Sequence, residues 1–189
     1  MDGQATAADA LAVRYAVVDV ETSGLRADRH RVLQVGVVVV DAQGTVLQRW
    51  SSLLRPRRRW LYRVGPVHIH GIRRRDVRDA PPAGDVLRRL ATVLQGATVV
   101  AHNARFDTAF LRRAAAREGI DLPLGEALCT LRMSRQLDPE RQQSHRLVDV
   151  AARYGVTVVQ PHDALSDAEA TAAILPHLLR ATTPDVRVA

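Results

Sequence analysis

The chain has 189 residues, enough for one domain with a sizeable core, and its 47% apolar and 25% charged residues are ordinary for a globular protein. Its 27 basic side chains are all arginine and exceed the 20 acidic ones; the net charge of +7 points to a polyanionic partner, while an arginine-favouring codon bias explains the missing lysine. Several classes are excluded: no apolar run approaches a membrane span, the lone Cys129 cannot form an internal disulfide, and the N-terminus lacks the basic start and apolar core of a secretory signal, so a cytoplasmic protein without a membrane partner is expected.

Residues 1–12 read as a tail, 13–180 as one domain and 181–189 as a second tail. "RYAVVDV" (14–20) and "VLQVGVVVV" (32–40) are valine-rich strands, "DAQG" (41–44) is a turn, and "TVLQRWSSLL" (45–54) is a third strand, which predicts an antiparallel meander. Residues 55–83 show no regular element and carry much of the arginine. In "DVLRRLATVLQG" the residues Val86, Leu87, Leu90, Val93 and Leu94 share one helical face, with Gly96 as the stop. "TVVAH" (98–102) is a short strand. "RFDTAFLRRAAAREG" is a helix with Phe106, Ala109, Phe110 and Ala114 inward and Gly119 as its stop. "RLVDVAARYG" is a shorter helix capped by Ser144. The last helix starts at Asp163 or Ser166 and reaches Arg180; Ser166 and Glu169 have capping-box spacing, and Pro176 is expected to bend it or end it early. A meander followed by alternating helices and strands predicts an α/β protein, a mixed sheet with helices packed on it.

Chemistry enters at "VVDVETSGL" (17–25). Asp19 and Glu21 sit two apart in an apolar strand, so both point to one face, about 7 Å apart along the backbone. Buried carboxylates need a partner, and no basic residue lies in the stretch; a divalent cation held by hard oxygen ligands supplies the charge, whereas a strand end open to water needs none. Two further acids join them. Asp107 follows the polar turn at His102 and Asn103 in the first turn of a helix, where an acid also suits the helix dipole. Asp167 lies near another helix start, five residues after His162.

Taken together, "DVETSG", "AHNARFDTAFL" and "HDALSDA" resemble the three motifs of the DEDDh, or DnaQ-like, family of 3′–5′ exonucleases, which includes the epsilon-type proofreading domain of bacterial DNA polymerase III. "VHIHGI" (67–72) and "SHRLVDVAARYGV" are similar to two further family segments, so the resemblance spans residues 13–180. It implies a ribonuclease-H-like fold, a five-stranded mixed sheet flanked by helices. It also implies a site of five catalytic residues, Asp19, Glu21, Asp107, His162 and Asp167. Asp19, Glu21 and Asp167 would bind one divalent cation, Mg²⁺ or Mn²⁺. Asp19 would bridge to a second, supported by Asp107, and His162 would be the general base. Thr22 and Gly24 would border the terminal nucleotide, and His70 and Asn103 would help place it. Cys129 replaces an acid found in many relatives at a non-catalytic position.

The implied activity is removal of nucleotides from the 3′ end of single-stranded nucleic acid, DNA in the first instance. An RNA-trimming member of the family and a non-catalytic nucleic-acid-binding subunit on the same fold remain as alternatives. A polymerase or clamp partner is not indicated, because only "ATTPDVRVA" follows Arg180. "LRPRRRWLYRVGP" has two readings. Either it is a solvated loop with Trp60 and Tyr62 packed beneath, or Arg57, Arg58 and Arg59 form a rim for phosphates beside stacking aromatics.

Overall fold

The computed structural model describes residues 13–56 and 63–182. Five strands form one sheet in the order β3-β2-β1-β4-β5: β1 (Arg14–Thr22), β2 (Val32–Asp41), β3 (Val46–Leu53), β4 (Thr98–Ala101) and β5 (Leu128–Cys129). The first three pair antiparallel as the predicted meander, while β4 and β5 join parallel to β1 and to each other. Among the described residues seven helices accompany them: α1 (Val67–His70), α2 (Arg74–Arg78), α3 (Ala83–Leu94), α4 (Ala104–Glu118), α5 (Thr130–Gln136), α6 (Leu147–Arg153) and α7 (Ala164–Ala181). This is the expected α/β architecture, a five-stranded mixed sheet flanked by helices, of the ribonuclease-H-like kind. Among the described residues no helix is long and apolar enough to cross a membrane.

Both faces of β1 and β2 are buried, so these strands read as almost continuous valine rather than as an alternation. Ala16, Val18 and Val20 of β1 pack with Leu87 and Leu90 of α3 and with Phe110 and Leu111 of α4. Val17 of β1 and Val38 and Val40 of β2 pack on the opposite face against Ala168, Ala172 and Leu175 of α7. Strand alternation therefore carries the odd-numbered row of β1, and with it Asp19 and Glu21, onto the α7 face. A third cluster joins α5, α6 and α7 through Met133, Val150, Ile174 and Leu178.

Several local expectations change. The described part of residues 55–83 contains two short helices, α1 and α2, of four and five residues, too brief to show a period. Ile72 and Val77 anchor this region against Leu33. In α4 Phe110 is buried and Phe106 and Ala114 are partly buried against the core, as expected; Ala109 is exposed, and Ala104, Asp107, Thr108, Leu111 and Ala115 complete the buried face. Ser144 does not cap α6: its hydroxyl bonds the Asp149 carboxylate, and Arg146 precedes the helix without a side-chain cap. The cap of α7 is Asp163, which accepts from the Ser166 amide, rather than a Ser166–Glu169 box; Glu169 pairs with Arg49 instead. Pro176 does not end α7, which continues to Ala181.

Candidate active site

β1 pairs with β4 only over Tyr15–Val17, so Asp19–Thr22 run on beyond the parallel ladder, where β4 turns through His102 and Asn103 into α4. Crevices at the carboxyl ends of such strands are the usual ligand sites of α/β sheets. The β1–β2 register shifts between Glu21 and Thr22, an irregularity of the kind that re-aims side chains beside functional sites.

A cleft of about 490 Å³ opens there. Asp19, Glu21, Thr22 and Gly24 reach it from β1 and the following loop, and His70 from α1; Asn103 and Asp107 come from the β4–α4 junction, and His162 and Asp167 from the start of α7. All the expected site residues within the described part thus line one cavity. Arg57, Arg58 and Arg59, like Trp60 and Tyr62, lie outside the described residues. His102, Ile69, Phe106 and Leu147 also line the cleft, and sequence reasoning missed them as site residues. Phe106 and Leu147 fit apolar helix patterns that a core position explains equally well.

The electrostatics show what the cleft lacks. Burial, then the negative charges of Asp107, Asp167 and Glu21, push Asp19 well above the usual carboxylate range. Burial, reinforced by Asp167, Asp163 and Asp107, raises Glu21 to about 8. Burial lifts Asp107 to about 7 despite the amide of Val20, which donates to its Oδ1 at 3.2 Å and ties α4 to β1. Asp167 is also raised by burial, against a hydrogen bond at 3.1 Å from the His162 amide to its Oδ2. None of the described residues lining the cleft is an arginine. Four acids therefore converge with no fixed cation among the described lining residues, and a divalent metal ion fits this donor set. Glu21, His162 and Asp167 each offer a ligating atom, all within 4.8 Å of one another. Asp19, expected in the same ligand set, lies outside this tight group but lines the same cleft. Carboxylate oxygens with an optional imidazole suit Mg²⁺ or Mn²⁺.

The loops around the acids are tightly fixed. Thr22 donates through Oγ1 to the Gly24 carbonyl at 2.8 Å, so its hydroxyl shapes the loop. A Cβ on Gly24 would lie 2.5 Å from the His30 ring, and one on Gly65 would lie 2.4 Å from the Ser23 carbonyl oxygen; only glycines allow these two loops to close beside the cleft. His70 accepts at Nδ1 from the Ile72 amide at 3.0 Å and faces the Val64 carbonyl at 3.1 Å with Nε2, which fixes the Nε2–H tautomer. Burial lowers its pKa, and both ring nitrogens are engaged within the protein, which leaves the ring face toward the cleft. Asn103, which precedes α4, spends no side-chain hydrogen bond on capping the helix. His162 stands at φ 63°, a left-handed conformation uncommon outside glycine and a form of strain that clusters at functional sites. His102 contacts Thr130 Oγ1 at 3.0 Å and the His145 carbonyl at 2.9 Å, bracing the cleft against the α5–α6 side.

Residues 16–175 match the RNase_T family model, described as exonuclease. The chain is 30% identical over 166 residues to a PolC-type DNA polymerase III of Bacillus cereus, covering 88% of this chain and 11% of that protein. It is 31% identical over 170 residues to the 3′-5′ exonuclease DinG of Bacillus subtilis, covering 88% of this chain and 18% of that one. The zinc-bound E. coli ExoI–ssDNA complex superposes with a TM-score of 0.78 at 22% identity, over 92% of this chain and 42% of that one, a likeness of fold. The chain spans between 11% and 28% of the length of these curated relatives and of a Mycobacterium tuberculosis exonuclease/endonuclease homologue.

Proposed function

The chain belongs to the RNase_T exonuclease family, and from that premise we propose that it removes nucleotides singly from the 3′ end of single-stranded nucleic acid, DNA in preference to RNA, using two divalent cations. The observation that carries this reading is the convergence of Asp19, Glu21, Asp107 and Asp167 in one cleft with raised pKa values and no arginine among the described lining residues.

Asp19, Glu21 and Asp167 would hold one cation, and Asp19 with Asp107 would hold a second. When bound, the cations neutralise charge on the scissile phosphate and the departing 3′ oxygen and acidify the attacking water. His162 accepts that water's proton; it is exposed at the mouth of the site, and the bond from its amide to Asp167 couples base to ligand. The close approach of His162 to Glu21 and Asp167 also supports a ligand role, which the variants below separate from base catalysis. Thr22 and Gly24 border the terminal nucleotide, Asn103 offers it an unspent amide, and His70 offers a ring face. The PolC-type relative favours a second setting for the same activity, beside a polymerase.

The test is digestion of matched 3′-labelled DNA and RNA oligonucleotides with Mg²⁺ or Mn²⁺ and then with EDTA. The reading expects single-nucleotide steps, faster on DNA and abolished by EDTA. Faster steps on RNA assign the RNA-trimming alternative, and tight binding without cleavage assigns the non-catalytic one.

A further inference from the structure

We infer that Gln34 is a positioning residue whose side-chain amide clamps the His162–Asp167 segment onto the sheet and so sets the distance between the two halves of the metal site; the inference rests on the metal-site reading above. Gln34 lies directly opposite Glu21 in the β1–β2 register, and Gly36, two residues on, lies opposite Asp19. Both belong to the β2 row that faces α7, the row of Val38 and Val40. Gln34 Nε2 donates to Asp163 Oδ2 at 2.8 Å, and its Oε1 accepts from the Ala164 amide at 3.3 Å. The other oxygen of Asp163 accepts from Ser166 N at 3.0 Å, and Ser166 Oγ accepts from Gln160 N at 2.9 Å. One amide thus grips the cap and the first turn of α7, and the knot it closes spans residues 160–167.

Gly36 completes the docking. A Cβ there would lie 2.2 Å from the Ala164 carbonyl oxygen, so the helix backbone rests directly on β2. Asp19 and Glu21 come from the sheet, whereas His162 and Asp167 come from the far side of this contact. The left-handed His162 at φ 63° needs surroundings that over-determine it, and the knot supplies them. Only a side chain carrying both a donor and an acceptor satisfies the Asp163 carboxylate and the Ala164 N–H together. Glutamate would face a second carboxylate, and leucine would leave both groups without their partner.

Four variants test the clamp: Gln34→Leu, Gln34→Glu, Asp163→Asn and the double Gln34→Glu/Asp163→Asn. In the double variant the new amide at position 163 donates to the new carboxylate at position 34, whose second oxygen still accepts from Ala164 N, and total charge is unchanged. The readouts are amide hydrogen exchange over 160–167 in EDTA, Mn²⁺ affinity by calorimetry, and kcat and KM on an oligonucleotide. Gln34→Leu should speed exchange over 160–167, weaken Mn²⁺ affinity and lower kcat, the last two by about ten- to a hundredfold, with KM little changed. Gln34→Glu and Asp163→Asn should each also speed the exchange and lower kcat, and the double variant should restore both towards wild type. Wild-type exchange, affinity and kcat in Gln34→Leu would overturn the inference. So would a double variant no better than Gln34→Glu, which decides the matter if Gln34→Leu does not fold. A wild-type protein that neither binds Mn²⁺ nor cleaves would instead overturn the metal-site reading, while exchange in EDTA still judges the clamp.

Discussion

Two acid-containing clusters of this molecule are both withdrawn from solvent, and they end in opposite states. In the cleft, Asp19, Glu21, Asp107 and Asp167 are all driven upward in pKa. Some way off, between α5 and α6, Asp138 is buried too, yet the amides of Gln143 and Gln142, with His145 and Arg153 nearby, hold it below the usual range. Asp138 accepts those amides at 2.9 and 3.1 Å, and His145 Nε2 lies 3.3 Å from its Oδ2. Ser134 joins His145 Nδ1 at 2.9 Å and receives Arg153 at 3.1 Å. The second cluster contains its own counter-charges; among the described residues lining the cleft, the first does not. A carboxylate met by amide donors and a nearby arginine stiffens a fold, whereas a group of mutually repelling acids destabilises the metal-free protein and is explained by what it binds.

The largest way to break this comparison is to remove a carboxylate from the cleft. Asp19→Ala or Asp167→Ala should cut cleavage by more than about a thousandfold, because loss of a ligand removes several kcal/mol of charge stabilisation in the transition state. The same variants should keep or raise the metal-free Tm, since each relieves repulsion. Near-wild-type rates in Mg²⁺ would take the residue out of the ligand set.

His162→Ala should lower turnover by roughly two to four orders of magnitude and weaken the acidic limb of the pH–rate profile. Calorimetry with Mn²⁺ separates the two roles the geometry allows. Preserved affinity marks a general base, and a matching loss of affinity marks a ligand.

A smaller effect concerns pH. Glu21 moves from its ordinary 4.5 to about 8 on folding, and Asp107 from 3.8 to about 7. Between those limits the folded protein binds more protons than the unfolded chain, so stability falls as pH rises. In EDTA, Tm should therefore decline from about pH 5 to about pH 8, and saturating Mg²⁺ should flatten the decline by replacing protons as the counter-charge. Glu21→Gln in EDTA should also flatten it; an unchanged slope would remove Glu21 as its source.

The sequence revealed these two regions unequally. β1 and β2 were legible because doubly buried strands are runs of valine, β3 because a partly alternating pattern follows a turn, and the cleft because its residues fall in three compact motifs. The short helices α1 and α2, and the two-residue β5, carry no period to read. The buried face of α4 was read only in part, because Asp107 and Thr108 break its apolar pattern. Gln34 was invisible for another reason: its partners Asp163 and Ala164 lie 129 and 130 residues away in the chain, and a lone glutamine in a strand looks like any polar residue. The Asp138 cluster was hidden likewise, since no spacing ties Ser134, His145 and Arg153 together before α5 and α6 are packed.

The smallest expected effect on catalysis belongs to Asp138→Asn, and it tests whether the clusters are as separate as their electrostatics imply. Asparagine keeps one acceptor for the Gln142 and Gln143 amides but removes the charge beside His145 and Arg153, so Tm should fall measurably in both EDTA and Mg²⁺. The two clusters meet where His102 contacts the His145 carbonyl, a backbone group whose position depends on the whole loop rather than on one ion pair. Turnover and Mn²⁺ affinity should therefore stay near wild type while stability drops, the reverse of Asp19→Ala. Parallel measurement of Tm, kcat and Mn²⁺ affinity on both variants checks this. If Asp138→Asn lowered kcat or metal affinity without touching KM, the network would have to be counted as a support of the cleft, acting through His102, and the division between a stiffening cluster and a binding one would fail at that contact.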